Sequence, residues 1–492
     1  MPAISFIKTN TGSKDPTGFY FGLGAILVIT TGLFLQLIQP GTIDTDGGIF
    51  SAVAWKDMHG GTLYKDTWEN KPPGIFYLME LFLFLIPNHV YALFTMSLLA
   101  FWCIGIVLFN LFYKYFDSSL LTTVLFTSIA IFFTLNRNNV SDGLITEIYG
   151  TLCIISSLYF FERYLDKKRN ILLIISGIAI GLSVWFKEPF ALIALPLALY
   201  YFVQLKQARL IFTFVIYGLI PSAFFIILLS LSGSLLPFFK VIEYNFGYAS
   251  ADDSVPGSVK IRDYYDWLLK PLSAISILSA LLLLKLVSSR KTFALAVLIF
   301  AVFVGSTGFV LLTPYNFGHY YFSSFVLLFV VVAKLYEMFR TQQKQSYSLL
   351  VILVCLFSIY KIDEELHPEF SFSIKPFKPD HMAQKVIQDK GKSLLVDFED
   401  KACYYVICGR VHPFYVPVGL PVHFNETDYG RRNRRTYEKA LMSNLPDYVI
   451  TATIPSYLYC HINHNGLYEK EYEKIDSIDN NRLFLLRRKN ME

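Results

Sequence analysis

The chain has 492 residues, of which 54% are hydrophobic and only 16% charged, against about a quarter charged in a typical soluble domain. That balance excludes a wholly soluble protein. The net charge of +5 is small and sits largely in loops beside apolar blocks, so it speaks of membrane orientation and not of a nucleic-acid partner. The apolar blocks recur between residues 18 and 360 and then stop. The expectation is a polytopic α-helical membrane domain over 1–361 and a small soluble α/β domain over 362–492.

The opening stretch MPAISFIKTNTGSKDPTG is polar and shows no cleavable signal peptide. A bilayer crossing needs roughly 20 apolar residues as a helix. On that measure spans are expected at 18–38, 89–113, 119–135, 144–162, 170–186, 189–205, 210–231, 268–288, 292–312, 320–338 and 347–360, about eleven in all. The stretch 74–87 is apolar but short and follows Pro72-Pro73, and it reads as an interfacial helix.

Positive charge sets the orientation. With a cytoplasmic N-terminus, the inner loops hold Lys8, Lys14, Lys114, Arg163, Lys167, Lys168, Arg169, Lys206, Arg209, Arg290, Lys291, Arg340 and Lys344. The short outer turns hold only Arg137 and Lys187. An odd number of spans then puts the tail outside. Two longer outer loops depart from the bias, the first, 39–88, with Lys56, Lys65 and Lys71, and another at about 232–267 with Lys240, Lys260 and Arg262; the first is the candidate functional loop.

Within that loop, Ile49, Phe50 and Val53 share one helical face, Lys56 and Asp57 lie off it, and Gly60-Gly61 would end the helix. This predicts an amphipathic helix lying on the outer membrane surface. The polar, turn-rich LYKDTWENKPP follows.

These residues carry a resemblance. Asp46, Phe50, Ala54, Gly60 or Gly61, Tyr64-Lys65-Asp66 and Lys71-Pro72-Pro73 are similar to the first outer loop of the GT-C class of membrane glycosyltransferases. The nearest groups are the protein O-mannosyltransferases, the lipid A aminoarabinose transferases and bacterial relatives named after rhizobial lipopolysaccharide transferases. The Glu that usually follows the Asp is replaced by Gly47, and a second acid, Asp44, precedes it. Weaker likenesses run through NNVSDGLITEIYG, with Thr146-Glu147 at a helix start, through GLSVWFKEPF and through NFGHYYF, so that the resemblance covers roughly residues 18–340.

The resemblance implies transfer of a sugar from a polyprenyl-phosphate donor to an acceptor hydroxyl or amine on a glycan, lipid or protein, at the periplasmic or extracytoplasmic face of a bacterial cell membrane. Such chemistry needs a base for the acceptor proton and cations for the leaving phosphate. Asp46, with Asp44 beside it, takes the catalytic place, and a single base implies inversion at the anomeric carbon. Asp66, Lys71, Arg137, Glu147, Lys187, His319 and Tyr320 are the candidate substrate-binding residues. No cofactor is called for, and the resemblance leaves room for a divalent metal.

Each candidate has an ordinary structural alternative. Asp44 could cap a helix, Asp66 could order a turn, and Lys71 could be a snorkelling membrane-edge lysine. Arg137 and Lys187 stand where interfacial cations are common, and His319-Tyr320-Tyr321 could belong to an aromatic belt. Glu147, near the start of a span, is costlier to explain away, because ionisable groups at membrane depth tend to line cavities.

In the tail, SLLVDF, CYYVIC, DYVITA and RLFLLRR read as strands and TYEKALMSNL as a helix. Cys403, Cys408 and Cys460 have no zinc-type spacing, and RRNRR at 431–435 reads as a solvated basic face. Two rival functions remain open at this level: a transporter or flippase of lipid-linked glycans, and a non-catalytic assembly subunit.

Overall fold

The computed structural model describes residues 16–135, 142–249, 318–340, 372–397, 401–413, 445–452, 470–478 and 482–489, with Val140 and isolated positions between 258 and 311 and between 435 and 443. The helices in chain order are α1 (Pro16–Leu37), α2 (Thr45–Met58), α3 (Gly74–Leu85), α4 (His89–Tyr115), α5 (Leu120–Thr134), α6 (Thr146–Lys167), α7 (Asn170–Ser183), α8 (Ala191–Leu205), α9 (Ala208–Leu231), α10 (Leu235–Ala249) and α11 (Phe322–Arg340).

Among the described residues, five helical stretches are long and apolar enough to cross a membrane: Pro16–Leu37, His89–Tyr115, Glu188–Leu205, Ala208–Leu231 and His319–Glu337. They coincide with five of the expected spans. The expected spans 119–135, 144–162 and 170–186 fall on α5, α6 and α7; α5 and α7 are shorter apolar helices, and α6 carries Glu147, Glu162, Arg163, Asp166 and Lys167. The expected spans 268–288 and 347–360 lie outside the described residues, and 292–312 almost wholly so.

Helix α11 is the centre of the bundle. It packs against α4, α5 and α6, and from Phe322 to Ala333 every residue is buried, as expected of a helix apolar all round. The periphery is different. Phe212, Leu219, Phe224, Ile227 and Leu231 of α9 are exposed, the pattern of a helix facing lipid. Helix α7 reaches α9 through glycine: a Cβ on Gly177 would meet the Phe214 carbonyl oxygen at 2.7 Å, so only a residue without a side chain lets the two backbones approach this closely.

Charge is buried at one end of the bundle. Glu162 of α6 accepts from Lys114 of α4 at 2.8 Å, from Lys334 of α11 at 3.1 Å and from the Tyr200 hydroxyl of α8 at 3.0 Å. A carboxylate this deep persists only when paired, and here its partners tie four helices together.

Two expectations change. Helix α2 forms, but it does not lie on a membrane surface with a free polar face: every residue from Gly47 to Trp55 is buried. The reason is a roof made by the C-terminal part of the chain. Helix α13 (Cys403–Ile407) packs on α2 and α4, where a Cβ on Gly48 would meet the Cys403 nitrogen at 2.9 Å. Thr67 Oγ1 and His412 Nε2, both buried, are 3.1 Å apart. The same α13 is the second change, since CYYVIC reads as a strand. Its aromatic content suits a strand, yet Tyr404 and Tyr405 serve here as buried packing groups of a short helix, with Val396 N–H of the neighbouring strand donating to the Tyr405 hydroxyl at 2.8 Å.

The rest of the tail includes helix α12 (His381–Gln388) and a four-stranded sheet in the order β1-β2-β4-β3. Strand β1 (Leu394–Val396) runs parallel to β2 (Tyr448–Ala452), β2 pairs antiparallel with β4 (Leu483–Arg488), and β4 with β3 (Tyr472–Ile478). Strand β3 escapes the sequence because YEKIDSI is mostly charged or polar; it pairs on one side only, as an edge strand can.

Candidate active site

The site begins at the N-terminus of α2. Asp44 is its N-cap: the side chain accepts from Thr45 N–H at 2.8 Å, the role the sequence left open beside a catalytic one. Its own N–H donates to Asp142 Oδ2 at 2.9 Å, while Asp142 Oδ1 accepts from Leu144 N–H at 2.9 Å. Asp142 is 1% exposed, and burial pushes its carboxyl up to about 7 against the pull of those two N–H groups. Asp46 sits in the first turn of α2, half-buried.

The next segment is built around Tyr64. Asp57 Oδ1 accepts from Leu63 N–H at 2.9 Å, and Thr62 C=O accepts from Asp66 N–H at 2.8 Å. The tight turn puts Tyr64 at φ +62°, in the left-handed region. Its buried hydroxyl then donates to the Lys71 carbonyl at 2.6 Å, so the tyrosine of the Tyr-Lys-Asp motif fixes the backbone of the lysine seven residues on. Lys71 Nζ donates to Asn70 Oδ1 at 2.6 Å and lies 3.9 Å from Glu69 Oε1. Burial works against the Lys71 charge, but the Glu69, Asp46, Glu147 and Glu188 carboxylates outweigh it and hold the ammonium above its usual value. Burial pushes the Glu69 carboxyl up to about 7.

The opposite wall comes from three other elements. Lys187, just before the 3-10 turn Glu188–Phe190, pairs with Glu147 of the first turn of α6. Its Nζ stands 4.1 Å over the Tyr320 ring, and His319 Nε2 lies 3.8 Å from Glu147 Oε1. Asn245 of α10 joins the two walls: Nδ2 donates to the Asn70 carbonyl at 2.7 Å and to Glu188 Oε1 at 2.9 Å. Asp46 is close enough for its charge to act on Lys71, Lys187 and His319.

Of the residues singled out in the sequence, Asp46, Lys71, Glu147, Lys187, His319 and Tyr320 therefore converge. Glu147 is committed to Lys187 and His319, which makes it the group that orients the cations. Asp66 stands apart, exposed, its charge acting on Lys56 and Asp57 at the far end of α2. Arg137 lies outside the described residues. The sequence reading missed Glu69, Asp142, Glu188 and Asn245. Glu69 could have been found, as the acid two residues before Lys71 in the quoted LYKDTWENKPP. Asn245 carries no local signal, because its partners are 175 and 57 residues away in sequence. Among the described residues, no three His, Cys, Asp or Glu side chains are grouped as metal ligands would be. Chemically, one half-buried carboxylate lies within electrostatic reach of two lysines and a histidine: a proton acceptor near an anion grip.

The fold that carries this site is that of the GT-C membrane glycosyltransferases. The chain superimposes on ArnT from Cupriavidus metallidurans bound to undecaprenyl phosphate with a TM-score of 0.60 at 9% identity, covering 96% of this chain and 98% of that one. It superimposes on the Archaeoglobus fulgidus oligosaccharyltransferase in the apo form with a TM-score of 0.52 at 12% identity, covering 97% and 75%. At the level of sequence, residues 70–232 match the family of dolichyl-phosphate-mannose-protein mannosyltransferases. The GT-C likeness read from the first outer loop is thus present both in a sequence segment and in the fold. No curated protein matches the chain in sequence.

Proposed function

We propose that the protein transfers a sugar from a polyprenyl-phosphate donor to an acceptor hydroxyl or amine on a cell-envelope glycan, lipid or protein, at the extracytoplasmic face of the membrane. The observation that supports this reading is that Asp46 lies close enough for its charge to act on Lys71, Lys187 and His319. Asp46 acts as general base on the acceptor. Lys71 and Lys187 hold the donor phosphate and stabilise the charge that grows on it as the glycosidic bond breaks. Tyr320 and Glu147 fix the Lys187 ammonium in place. A displacement that uses Asp46 as its one base inverts the anomeric carbon. The Cupriavidus neighbour, bound to undecaprenyl phosphate, supports the class of donor.

The test is direct. Purified protein in lipid vesicles is given a lipid-linked sugar extract from the native membrane, and transfer to acceptor is followed with the anomeric configuration of the product. Inverted product supports the proposal. A folded protein that moves lipid-linked glycan across the vesicle bilayer without breaking the phosphate–sugar bond would replace it by the flippase reading.

A further inference from the structure

At the opposite end of the bundle, one length of α1 from the candidate site, lies a second feature that the transfer chemistry does not use. Helix α1 has 22 residues, so the two are separated by about 33 Å at 1.5 Å per residue. A cleft of about 320 Å³ opens there between α1, α4 and α6, lined by Pro16, Phe19, Tyr20, Asn110, Tyr113, Lys114, Arg163 and Asp166. By the positive-charge bias of the loops it faces the cytoplasmic leaflet.

The lining sorts into two kinds. Lys114 is spent: its three N–H bonds go to the Glu162 carbonyl at 3.0 Å, Glu162 Oε2 at 2.8 Å and Asp166 Oδ2 at 2.9 Å. Arg163 is not. Among the described residues it makes no ion pair, and its guanidinium rests 5.9 Å from the Tyr159 ring centre, leaving its N–H fork for an anion. The Asp166 side chain is 51% exposed and bonded to Lys114 alone among the described groups, so its carboxylate has acceptor capacity left for a cation with N–H groups. The cleft thus offers one anion-binding and one ammonium-binding group, three residues apart on α6 and hence on one helix face. Beside it, Tyr20 and Phe21 are 68% and 75% exposed at the start of α1, an apolar path for acyl chains.

We infer that this cleft binds a phospholipid with a phosphoethanolamine headgroup, Arg163 taking the phosphate and Asp166 the ammonium. An anionic headgroup without an amine would leave Asp166 facing like charge. A choline headgroup would present methyl groups where Asp166 needs a hydrogen-bond donor. The inference is independent of the sugar-transfer reading, since no residue is shared.

The experiment uses the whole protein, delipidated in detergent, exposed to equal amounts of phosphatidylethanolamine, phosphatidylcholine and phosphatidylglycerol of the same acyl chains, and examined by native mass spectrometry. One retained phosphatidylethanolamine per chain is expected, in excess of the other two. Losing a hydrogen bond to a charged group should lower retention by about tenfold in Arg163→Gln and in Asp166→Asn. Asp166→Asn should also abolish the preference over phosphatidylcholine while leaving thermal stability near wild type. Displacement of the lipid by free phosphoethanolamine alone would assign the cleft to a soluble ligand and overturn the lipid claim. Equal retention of all three lipids, or unchanged retention in both variants, would overturn it as well.

Discussion

The carboxylate of Asp142 occupies the space that a Cβ on Gly47 would need. The glycine that replaces the usual acid after Asp46 is therefore required by a second acid, 95 residues further along the chain. Asp142 reaches into the first turn of α2 and holds the N–H of Asp44, so it fixes the start of the helix that carries Asp46. Gly47→Ala should push Asp142 out and orphan the Leu144 N–H it also holds. One unsatisfied buried amide costs about 1–3 kcal/mol, which thermal unfolding of the detergent-solubilised protein would register. Gly24→Ala, where a Cβ meets nothing within 4 Å, is the control and should be neutral or slightly stabilising.

Asp46→Asn keeps the shape of the side chain and removes its basicity. Loss of a general base lowers turnover by roughly 100- to 10,000-fold, while donor binding should change little, because the lysines and the lipid remain. Asp44→Asn preserves capping and should cost far less. Comparable losses in the two variants would mean that the base has been misassigned.

Lys187 and Glu147 should behave as a coupled pair. Removing one partner of a buried ion pair leaves an uncompensated charge, at about 3–5 kcal/mol. Lys187→Met alone should therefore lower stability sharply, and Lys187→Met with Glu147→Gln should recover much of it. Neither variant should recover transfer, since the phosphate has lost a cation. If the two effects simply add in thermal unfolding, the pair is not coupled.

Glu69 gives a pH signature. Its carboxyl titrates at about 7 in the fold against an ordinary value of 4.5, a difference of about 2.5 units. Between those values the unfolded chain releases a proton that the fold retains, so the fold loses stability as pH rises from about 4.5 to 7 and regains none above it. At 1.36 kcal/mol per unit the full penalty is about 3 kcal/mol. Glu69→Gln removes it. The melting temperature of Glu69→Gln minus that of wild type should therefore grow between pH 5 and pH 7.5; a flat or shrinking difference would contradict the buried, uncharged-at-low-pH glutamate.

What the sequence determined by itself was whatever hydrophobicity and short motifs encode. A bilayer imposes one length on every crossing helix, so α1, α4, α8, α9 and α11 stand where apolar runs said they would. The first loop stood out because Asp46, the Tyr64 motif and Lys71-Pro72-Pro73 are spaced within one continuous segment, and local spacing survives any fold. Tertiary structure decided the rest. Whether α2 lies on a membrane or beneath a roof depends on Cys403 and His412, more than 300 residues away, and no periodicity within α2 records that cover. Asp66 and Lys71 are five residues apart yet their charges act at opposite ends of α2, Asp66 on Lys56 and Asp57 and Lys71 with Asp46. Lys71 and Asn245 are joined through Asn70, although nothing near either residue announces the other. Contacts of this kind form only when helices distant in sequence pack side by side, and they are what brings one carboxylate, two lysines and a histidine to a single site.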